Sequence, residues 1–476
     1  MSAQPASFAR RLLAAALLAC AAQAGAGTLL SVQQMQDDFL LARRAIEEAH
    51  GGIYRYTPKP ELDRVFDAAA ARIDHPMDAM AFQRIVSPAV AAVRCGHTAV
   101  QLWGQAKTEM DQALLLPLDV RVIGGRIFIL RDFATDGKLA GREIVAVNGI
   151  PAAQLVQTMM TASQGDGFVP TGRNARVNRI FKEGLLRYFG MQGSFTVALA
   201  HSARPVALKG QLLASLQARS RERYPQDQYN PHFLNLAFLD DGRIARMTIY
   251  NFLDNEEDDD GSTILRKAFE KIAASGSDTL ILDLRGNGGG QDALGKKVYS
   301  YLVDKPFPYY RSLTVKRPGL SFAGNVVEGA AGVPAGQLVA RADGLYDYRS
   351  HPNLGIQQPR KPTFSGRVIA LIDGGSFSTT AELLTQLHDK QRALFVGEES
   401  AGAYHGNSSG NDALLELPNS GLRVFVPLIT YTLAVDSEHP VGRGVMPDFV
   451  VVPTIDDYLK GRDPQFERAL LIARAK

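Results

Sequence analysis

The chain has 476 residues, enough for about two to four domains. Hydrophobic residues make up 46% of it and charged residues 21%, which is ordinary for a soluble globular protein. The net charge of +3 is small for this length, so the composition gives no reason to expect nucleic acid or an anionic membrane surface as a partner.

The N-terminus has the pattern of a targeting segment. Arg10 and Arg11 precede the apolar run "LLAAALLACAAQA", which is too short to span a bilayer and ends in small residues. We therefore expect residues 1–26 to be a signal peptide, cleaved after Ala24 or Ala26. The mature protein would be exported, either to the periplasm or out of the cell.

A lipid anchor is the alternative for the same segment. The stretch "LLAC" ends at Cys20, where lipidation would attach the chain to the outer membrane. After cleavage past Cys20, Cys95 is the one remaining cysteine, so no intramolecular disulfide is expected.

Residues 27–112 have the periodicity of helices. The stretches "SVQQMQDDFLLARRAIEEAH", "LDRVFDAAAARI" and "MAFQRIVSPAVAAV" place apolar residues near helical spacing. The last of these helices gives way to "RCGHTAVQL", in which a glycine precedes a short alternating stretch. We predict an N-terminal helical region that ends in a strand.

Residues 113–212 change to the pattern of short strands. In "LPLDVRVIGGRIFIL" apolar and polar residues alternate on both sides of Gly124 and Gly125, which predicts a hairpin. "GREIVAVNGIPAAQLVQTMM" predicts a strand, a turn at Asn148 and Gly149, and a helix. The sequence therefore predicts a small β-rich module built around one helix.

Residues 213–476 alternate between strand and helix patterns. Buried strands are predicted in "RIARMTIYNFL", "DTLILDLRG", "RVIALIDGG" and "RALFVGEE", with amphipathic helices between them. Such alternation is typical of a mostly parallel sheet covered by helices. Residues 307–361 show no clear periodicity and are predicted to be a long loop insertion.

Glycines follow the strand in "LDLRGNGGG", among them Gly288 and Gly289. Glycine at the carboxyl end of a strand lets backbone N–H groups approach a ligand closely. A flexible turn is the alternative interpretation. A phosphate-binding loop is not expected, because the Lys-Ser/Thr pair that completes such a loop is absent.

Hydroxyl side chains cluster where the next strand meets a helix, in "IDGGSFSTTAE". Ser378 lies at this corner, where the free N–H groups of a helix start favour a developing oxyanion. A helix cap involving Ser378 and Glu382 explains the same residues locally. The local sequence leaves both interpretations open.

Two histidines are candidate general bases. His97 lies in "CGHT" at a break between a helix and a strand, and His405 lies in "GAYHGNSSG". A lone histidine is more often a structural residue than a base, so neither motif assigns the role by itself.

These motifs occur in an order that resembles the C-terminal-processing, or tail-specific, serine peptidases. The resemblance rests on "GREIVAVNG", "LILDLRGNGGG", "SFSTTAE", "FVGEE" and "GRGVMPD", and it extends over the mature chain. It is closest to the branch that includes the tricorn protease core and interphotoreceptor retinoid-binding protein. The fold it implies is an α/β protein: a crotonase-like ββα-spiral peptidase core with an N-terminal helical region and a PDZ-like β-rich module.

The resemblance also implies roles for individual residues. Ser378 would be the nucleophile, although the commoner spacing of the family points to Thr379 and leaves Ser376 as a third choice. The backbone N–H of Thr379 and that of Gly288 or Gly289 would form the oxyanion hole.

Many family members use a lysine as base, but Ala403 stands at that spacing in this chain. "CGHT" matches the histidine motif of the tricorn-like branch, which implies His97 as base and leaves His405 as its rival. Glu438 is the first choice for the acid that orients His97.

Asp436 and Glu399 are further candidates for that acid.

The resemblance implies an exported serine endopeptidase that hydrolyses peptide bonds in unfolded or C-terminal protein segments. No cofactor or metal is expected, and the partner is a peptide or protein substrate. One alternative is a non-catalytic ligand- or lipid-binding protein on the same fold. Another is a scaffold that acts through its PDZ-like and helical regions.

Overall fold

The structure is a computed structural model that describes residues 28–225, 232–254 and 260–475. The predicted signal peptide and Cys20 lie outside these ranges. The helices are α1 (Val32–Ala49), α2 (Lys59–Ala70), α3 (Ala79–Ala91), α4 (Gly104–Gln112), α5 (Ala152–Ala162), α6 (Pro170–Phe189), α7 (Leu213–Arg223), α8 (Gly261–Ser275), α9 (Asp292–Leu302), α10 (Thr379–Asp389), α11 (Ile455–Lys460) and α12 (Pro464–Arg474).

The strands form several sheets. They are β1 (Ala99–Gln101), β2 (Leu114–Leu115), β3 (Leu118–Ile123), β4 (Arg126–Asp132), β5 (Glu143–Val147), β6 (Ile150–Pro151), β7 (Ser194–Leu199), β8 (Val206–Lys209), β9 (Gln211–Leu212), β10 (Leu234–Leu239), β11 (Ile244–Ile249), β12 (Thr279–Asp283), β13 (Phe307–Pro308), β14 (Tyr310–Val315), β15 (Val326–Gly329), β16 (Leu338–Ala340), β17 (Tyr346–Tyr348), β18 (Ile356–Gln357), β19 (Arg367–Ile372), β20 (Leu394–Gly397), β21 (Ser408–Ser409), β22 (Ala413–Glu416), β23 (Arg423–Val426), β24 (Ile429–Leu433) and β25 (Phe449–Val450).

The central sheet has the strand order β10-β11-β12-β19-β20-β25. β10 and β11 are antiparallel, whereas the pairs from β11 to β25 are parallel. All five residues of β12 are buried, as expected for a strand that has helices on its faces. The alternating strands and helices therefore form the mixed α/β architecture that the sequence pattern predicts.

The N-terminal helices pack into the same hydrophobic core as the α/β region. Phe39 of α1, Phe66 of α2 and Phe82 of α3 belong to one buried cluster that also contains Phe269 and Leu282. Helical periodicity identified these elements but could not show what their apolar faces cover. The first helices thus share the core of the α/β region.

A short antiparallel pairing joins the N-terminal region to a strand far along the chain. β1 pairs with β23, with Ala99 opposite Phe425 and Gln101 opposite Arg423. Together with β22 and β15, these two strands form a four-stranded sheet in the order β1-β23-β22-β15. This pairing fixes the position of the "CGHT" segment, which immediately precedes β1.

The residues between β2 and β9 build a separate small core. β3, β4, β5, β7 and β8 form one sheet, with β6 added to β5, and α5 and α6 cover it. Its buried residues include Val120, Leu155, Phe181 and Val197. The predicted turns at residues 124–125 and 148–149 connect β3 to β4 and β5 to β6. That this module is PDZ-like, and that its limits are residues 113 and 212, stay predictions.

Residues 307–361 are more regular than the predicted loop. They contain the short strands β13 to β18, and β14 lies between β17 and β24 in a five-stranded sheet. The prediction of a structureless insertion was wrong. The reason is that strands of two to six residues are too short to display a period, and their partners lie far along the chain.

Within the described ranges, no helix is both long enough and apolar enough to cross a bilayer.

We predict that Asp38 holds α1 onto the α/β region. Its buried carboxylate accepts hydrogen bonds from the backbone N–H groups of Asn419, at 3.1 Å, and Ser420, at 2.7 Å. Asp38→Ala leaves these donors unsatisfied and should lower the free energy of unfolding by about 3 kcal/mol. Urea denaturation followed by circular dichroism measures the change.

Asp37→Ala provides the matched control for this experiment. Asp37 is the exposed neighbour on the same helix and contacts only Gln33 among the described hydrogen bonds. An equal loss of stability in both variants would contradict the role assigned to Asp38.

Candidate active site

Ser378 lies at a strained corner between β19 and α10. Its backbone has φ 56° and ψ −128°, a region that residues other than glycine seldom occupy. Its side chain makes no capping hydrogen bond to α10 and is partly exposed. The interpretation of this side chain as a helix cap is therefore wrong. The strained backbone instead leaves the Ser378 hydroxyl free of the helix that begins at the next residue.

The neighbouring hydroxyls are engaged elsewhere or buried. Ser376 donates a hydrogen bond of 2.9 Å to the carbonyl of Leu284, and Thr379 donates one of 2.7 Å to the carbonyl of Gly290. Thr380 is fully buried. Among the four hydroxyls of the cluster, Ser378 is thus the one available to a substrate.

His97 lies beside Ser378, although 281 residues separate them in the sequence. Its Nε2 is 3.1 Å from the Ser378 Oγ, within hydrogen-bond distance. The imidazole stacks on the ring of Phe377, with centroids 4.6 Å apart and an interplanar angle of 29°. β1 and Phe377 thus position the ring from two sides.

Gly96 permits this close packing. A Cβ at this position would lie 2.5 Å from Cζ of Phe377 and 3.2 Å from a carboxylate oxygen of Asp166. A residue with a larger side chain at position 96 would therefore collide with Phe377.

No hydrogen bond joins the side chains of His405 and Ser378 in the described structure. Its side chain is exposed and its ring contacts are with Tyr404 and His439. Of the two candidate bases, the structure brings only His97 to the serine.

Glu438, the first choice for the orienting acid, is not found at His97. Glu438 is exposed, and among the described contacts none joins it to the imidazole. Asp436 is also exposed and pairs with Arg311 and Lys390. Glu399 is buried, but it accepts two hydrogen bonds from Arg443 and one from the Gly444 N–H. Glu399 therefore stabilises the "GRG" turn at residues 442–444 and makes no described contact with His97.

Asp166 is the carboxylate that does lie near His97. A carboxylate oxygen of Asp166 and a ring nitrogen of His97 lie within 4.8 Å of each other. Asp166 is buried, and its Oδ1 accepts a hydrogen bond of 2.6 Å from the Gly96 N–H. Within the described structure, Asp166 Oδ2 and His97 Nδ1 are both buried without a hydrogen-bond partner.

Sequence reasoning missed Asp166. It lies in the irregular loop between α5 and α6, which is fixed by hydrogen bonds from the Gly167 N–H to Arg94 and from the Phe168 N–H to Gly442. The only local sign was an acidic residue between two glycines, in "QGDG".

Burial and Asp166 act on the pKa of His97 in opposite directions. Burial is the larger effect and holds the pKa of His97 below its usual value, while the negative charge of Asp166 raises it. A neutral imidazole is therefore favoured near neutral pH, which is the form that can accept a proton.

The glycine run forms the opposite wall of the site. A Cβ on Gly289, whose φ is +96°, would lie 2.7 Å from Cβ of Ser378 and 3.0 Å from the Thr379 nitrogen. The Gly289 N–H donates to the Asn287 side chain, so it is not available to a ligand. Of the expected oxyanion donors, Gly288 and Thr379 remain, since neither amide has a hydrogen-bond acceptor within the described residues.

A buried carboxylate stabilises the first turn of α10. Glu382 accepts hydrogen bonds from the Tyr310 hydroxyl, at 2.6 Å, and the Asn407 amide, at 2.8 Å. Burial, followed by the charge of Asp292, raises the pKa of Glu382 to about 7. The helix that begins after Ser378 is thus tied to β14 and to the segment before β21.

The ligand atoms of Cys95, His97 and Asp166 lie within 4.8 Å of one another, which is also a spacing that can hold a metal ion. Burial raises the pKa of the Cys95 thiol to about 12, so its thiolate, the form that binds metals, is strongly disfavoured. The chemistry of this trio fits acid–base work better than metal binding.

A cleft of about 320 Å³ opens beside the catalytic corner. Gly96, Gly288 and Phe377 line it together with Arg121, Arg176 and Arg179. One candidate oxyanion donor, Gly288, thus lines the same cleft as a group of cations.

Comparisons with known proteins identify the fold and find a family match for part of the chain. A crystal structure of a serine-to-alanine mutant of CPAF is 14% identical, covers 94% of this chain and 98% of its own, and has a TM-score of 0.66. CPAF complexed with lactacystin is 15% identical, with 93% and 98% covered and a TM-score of 0.63. At such identities the likeness shows the fold alone. No curated protein sequence matches the chain significantly.

Residues 243–451 match the model of peptidase family S41. This segment contains the glycine run, Ser378 and the "GRG" turn, whereas His97 and Asp166 lie before it. The match agrees with the serine-peptidase resemblance and with the α/β peptidase fold. Over residues 243–451, the chain is therefore similar to the serine-type peptidases of family S41.

Proposed function

We propose that the protein is an exported serine endopeptidase in which Ser378 is the nucleophile and His97 the general base. The observation that carries this proposal is the 3.1 Å distance between His97 Nε2 and Ser378 Oγ. Such a distance allows direct proton transfer, and the strained backbone of Ser378 exposes its hydroxyl at a helix start.

The reaction proceeds through an acyl-enzyme. His97 Nε2 takes the Ser378 proton while Oγ attacks the peptide carbonyl carbon, and the C–O bond forms as the carbonyl becomes an oxyanion. The Gly288 and Thr379 N–H groups stabilise this oxyanion. The imidazolium then gives its proton to the leaving amine as the C–N bond breaks. Water, deprotonated by His97, hydrolyses the ester and releases the acid.

Asp166 acts as the positioning residue for His97. For Nε2 to accept a proton, the ring proton must be on Nδ1, which is the nitrogen left without a hydrogen bond. Asp166 Oδ2 is likewise unpaired, and we propose that the two side chains reorient so that Nδ1–H donates a hydrogen bond to it. The carboxylate would then hold the tautomer and stabilise the imidazolium that forms.

The β-rich module between β2 and β9 is proposed to be PDZ-like and to hold extended peptide segments by strand addition. Main-chain hydrogen bonds to an exposed sheet edge bind a peptide with little regard to its sequence. This mode suits unfolded or C-terminal protein segments as substrates.

Labelling with a fluorophosphonate probe tests the nucleophile. We expect covalent labelling of the wild-type protein, none of Ser378→Ala, and labelling slowed by about 10³-fold or more in His97→Ala. Ser202→Ala, an exposed serine between β7 and β8, is the matched control and should label normally. Labelling that persists in Ser378→Ala would sink the assignment.

The pH dependence of kcat/KM tests His97 and Asp166 together. The base works only when neutral, so activity is lost as pH falls through the pKa of His97. Because burial lowers this pKa, the acid limb should lie below pH 6.5, the ordinary value for histidine. Asp166→Asn removes a charge that favours the imidazolium, so it should shift the limb to still lower pH while kcat falls by about 10²-fold or more.

Glu438→Gln separates the two candidate acids in the same measurement. If Asp166 is the positioning residue, this variant keeps both kcat and the acid limb of the wild type. A shift of the limb in Glu438→Gln, with none in Asp166→Asn, would instead support the assignment made from the sequence.

Export is tested by the N-terminus of the mature protein. We expect the intact mass of protein from the native host to begin at residue 25 or 27, following cleavage after Ala24 or Ala26. A mass that begins at Cys20 and includes acyl chains would show a lipid anchor, and an uncleaved chain would contradict export.

A further inference from the structure

Arg176 and Arg179 form an unpaired cationic wall in the cleft beside Ser378. Both lie on α6, three residues apart and therefore on one face of the helix, and both line the cleft of about 320 Å³. Among the described residues, neither makes an ion pair or a side-chain hydrogen bond. Arg176 is partly buried without a counterion, which is costly, and this suggests that a ligand supplies the missing charge.

The surroundings of Arg176 add to the positive potential. Burial, followed by the charges of Arg179 and Arg187, lowers the pKa of Arg176 to about 10. Arg173, on the same helix, points away to the carbonyls of Gly165 and Gly167. Within the described ion pairs, no carboxylate is paired with Arg176 or Arg179.

Arg121 extends the cationic wall from the neighbouring strand β3. Its guanidinium lies 4.9 Å from the ring centroid of Tyr458, and its Nε is buried without a partner in the described structure. Asp373 and Glu398 are the acidic groups close to it. Asp373 also lines the cleft, but its Oδ1 accepts hydrogen bonds from the Gly286 and Gly375 N–H groups.

The cleft is continuous with the catalytic corner. Gly288, a candidate oxyanion donor, and Phe377, which stacks on His97, line the same cavity as the arginines. Its volume is at the lower end of the roughly 300–1,000 Å³ of small-molecule sites, so it suits a few peptide side chains. A peptide bound at Ser378 would therefore place neighbouring side chains against the arginines.

We infer that this cleft selects peptide substrates that have acidic side chains close to the cleaved bond. Guanidinium groups bind carboxylates through paired hydrogen bonds, and partial burial strengthens such contacts. A single terminal carboxylate would leave the excess charge of this wall unmatched, so Asp or Glu side chains are the favoured source. The inference rests on the proposed peptidase function and names its substrate class.

The test uses quenched fluorescent peptides that differ only in charge. One peptide has Glu residues on both sides of a central Leu-Ala bond, its counterpart has Gln at the same positions, and each is made with a free and an amidated C-terminus. For the wild-type enzyme we expect kcat/KM to be about tenfold higher for the Glu peptide at low salt, and the preference to shrink as salt is added.

The variants assign the preference to the arginines. Arg176→Gln with Arg179→Gln should bring the Glu-to-Gln ratio of kcat/KM close to one, mainly by lowering the value for the Glu peptide. Arg179→Gln alone should lower the ratio in part, and because this side chain is exposed the variant should fold even if Arg176→Gln does not. Arg204→Gln, an exposed position between β7 and β8, is the matched control with the same charge change and should keep the ratio.

Equal hydrolysis of the Glu and Gln peptides by the wild-type enzyme would overturn the inference. A preference abolished by amidating the C-terminus, rather than by replacing Glu with Gln, would also overturn it. If no peptide is hydrolysed, the proposed function fails. Fluorescence anisotropy with the Ser378→Ala protein still measures binding of the two peptides, so equal binding refutes the inference and tighter binding of the Glu peptide supports it.

Discussion

The pairing of β1 with β23 is the contact on which the candidate site depends. Three residues of β1 add to the edge of a sheet built from residues beyond position 320, and His97 lies two residues before that strand. The pairing holds the imidazole at Ser378, while the N-terminal helices, through Asp38 and the shared core, hold β1 in place. The local motif around Ser378 supplies a hydroxyl and free amides, but it needs this long-range contact to gain a base.

The sequence predicted candidate site residues wherever reactive residue types lie within a short local motif. The corner at Ser378, the glycine run and the "CGHT" motif each combine a secondary-structure boundary with reactive residue types, so they could be found one at a time. The acid could not be found in this way. Asp166 reaches His97 through an irregular loop whose place is set by backbone contacts to Arg94 and Gly442, and no periodicity records such contacts. Glu438 was the first choice among three candidate acids, but it is exposed, and the nearby "GRG" turn is held by Arg443 and Glu399.

Burial explains the remaining differences between expectation and structure. Helical periodicity located α1 to α3 but not the surface they cover, which is the core of the α/β region. The strands within residues 307–361 are stabilised by partners such as β24 and so lack a pattern of their own. Burial also explains why two charged residues were overlooked. No sequence motif marks Arg176 or Asp166, and it is burial that lowers the pKa of Arg176 and that encloses the Asp166 carboxylate beside His97.

The division of the proposed catalytic groups between distant parts of the chain has a consequence for folding. The proposed nucleophile and oxyanion amides lie within residues 243–451, while the proposed base and its neighbouring carboxylate precede that segment. A chain whose N-terminal region is unfolded, or has been removed, therefore holds a serine that nothing deprotonates. Contacts of such long range form late, because the loops they close are large. The groups proposed for catalysis are thus brought together only once the N-terminal region has packed onto the α/β region.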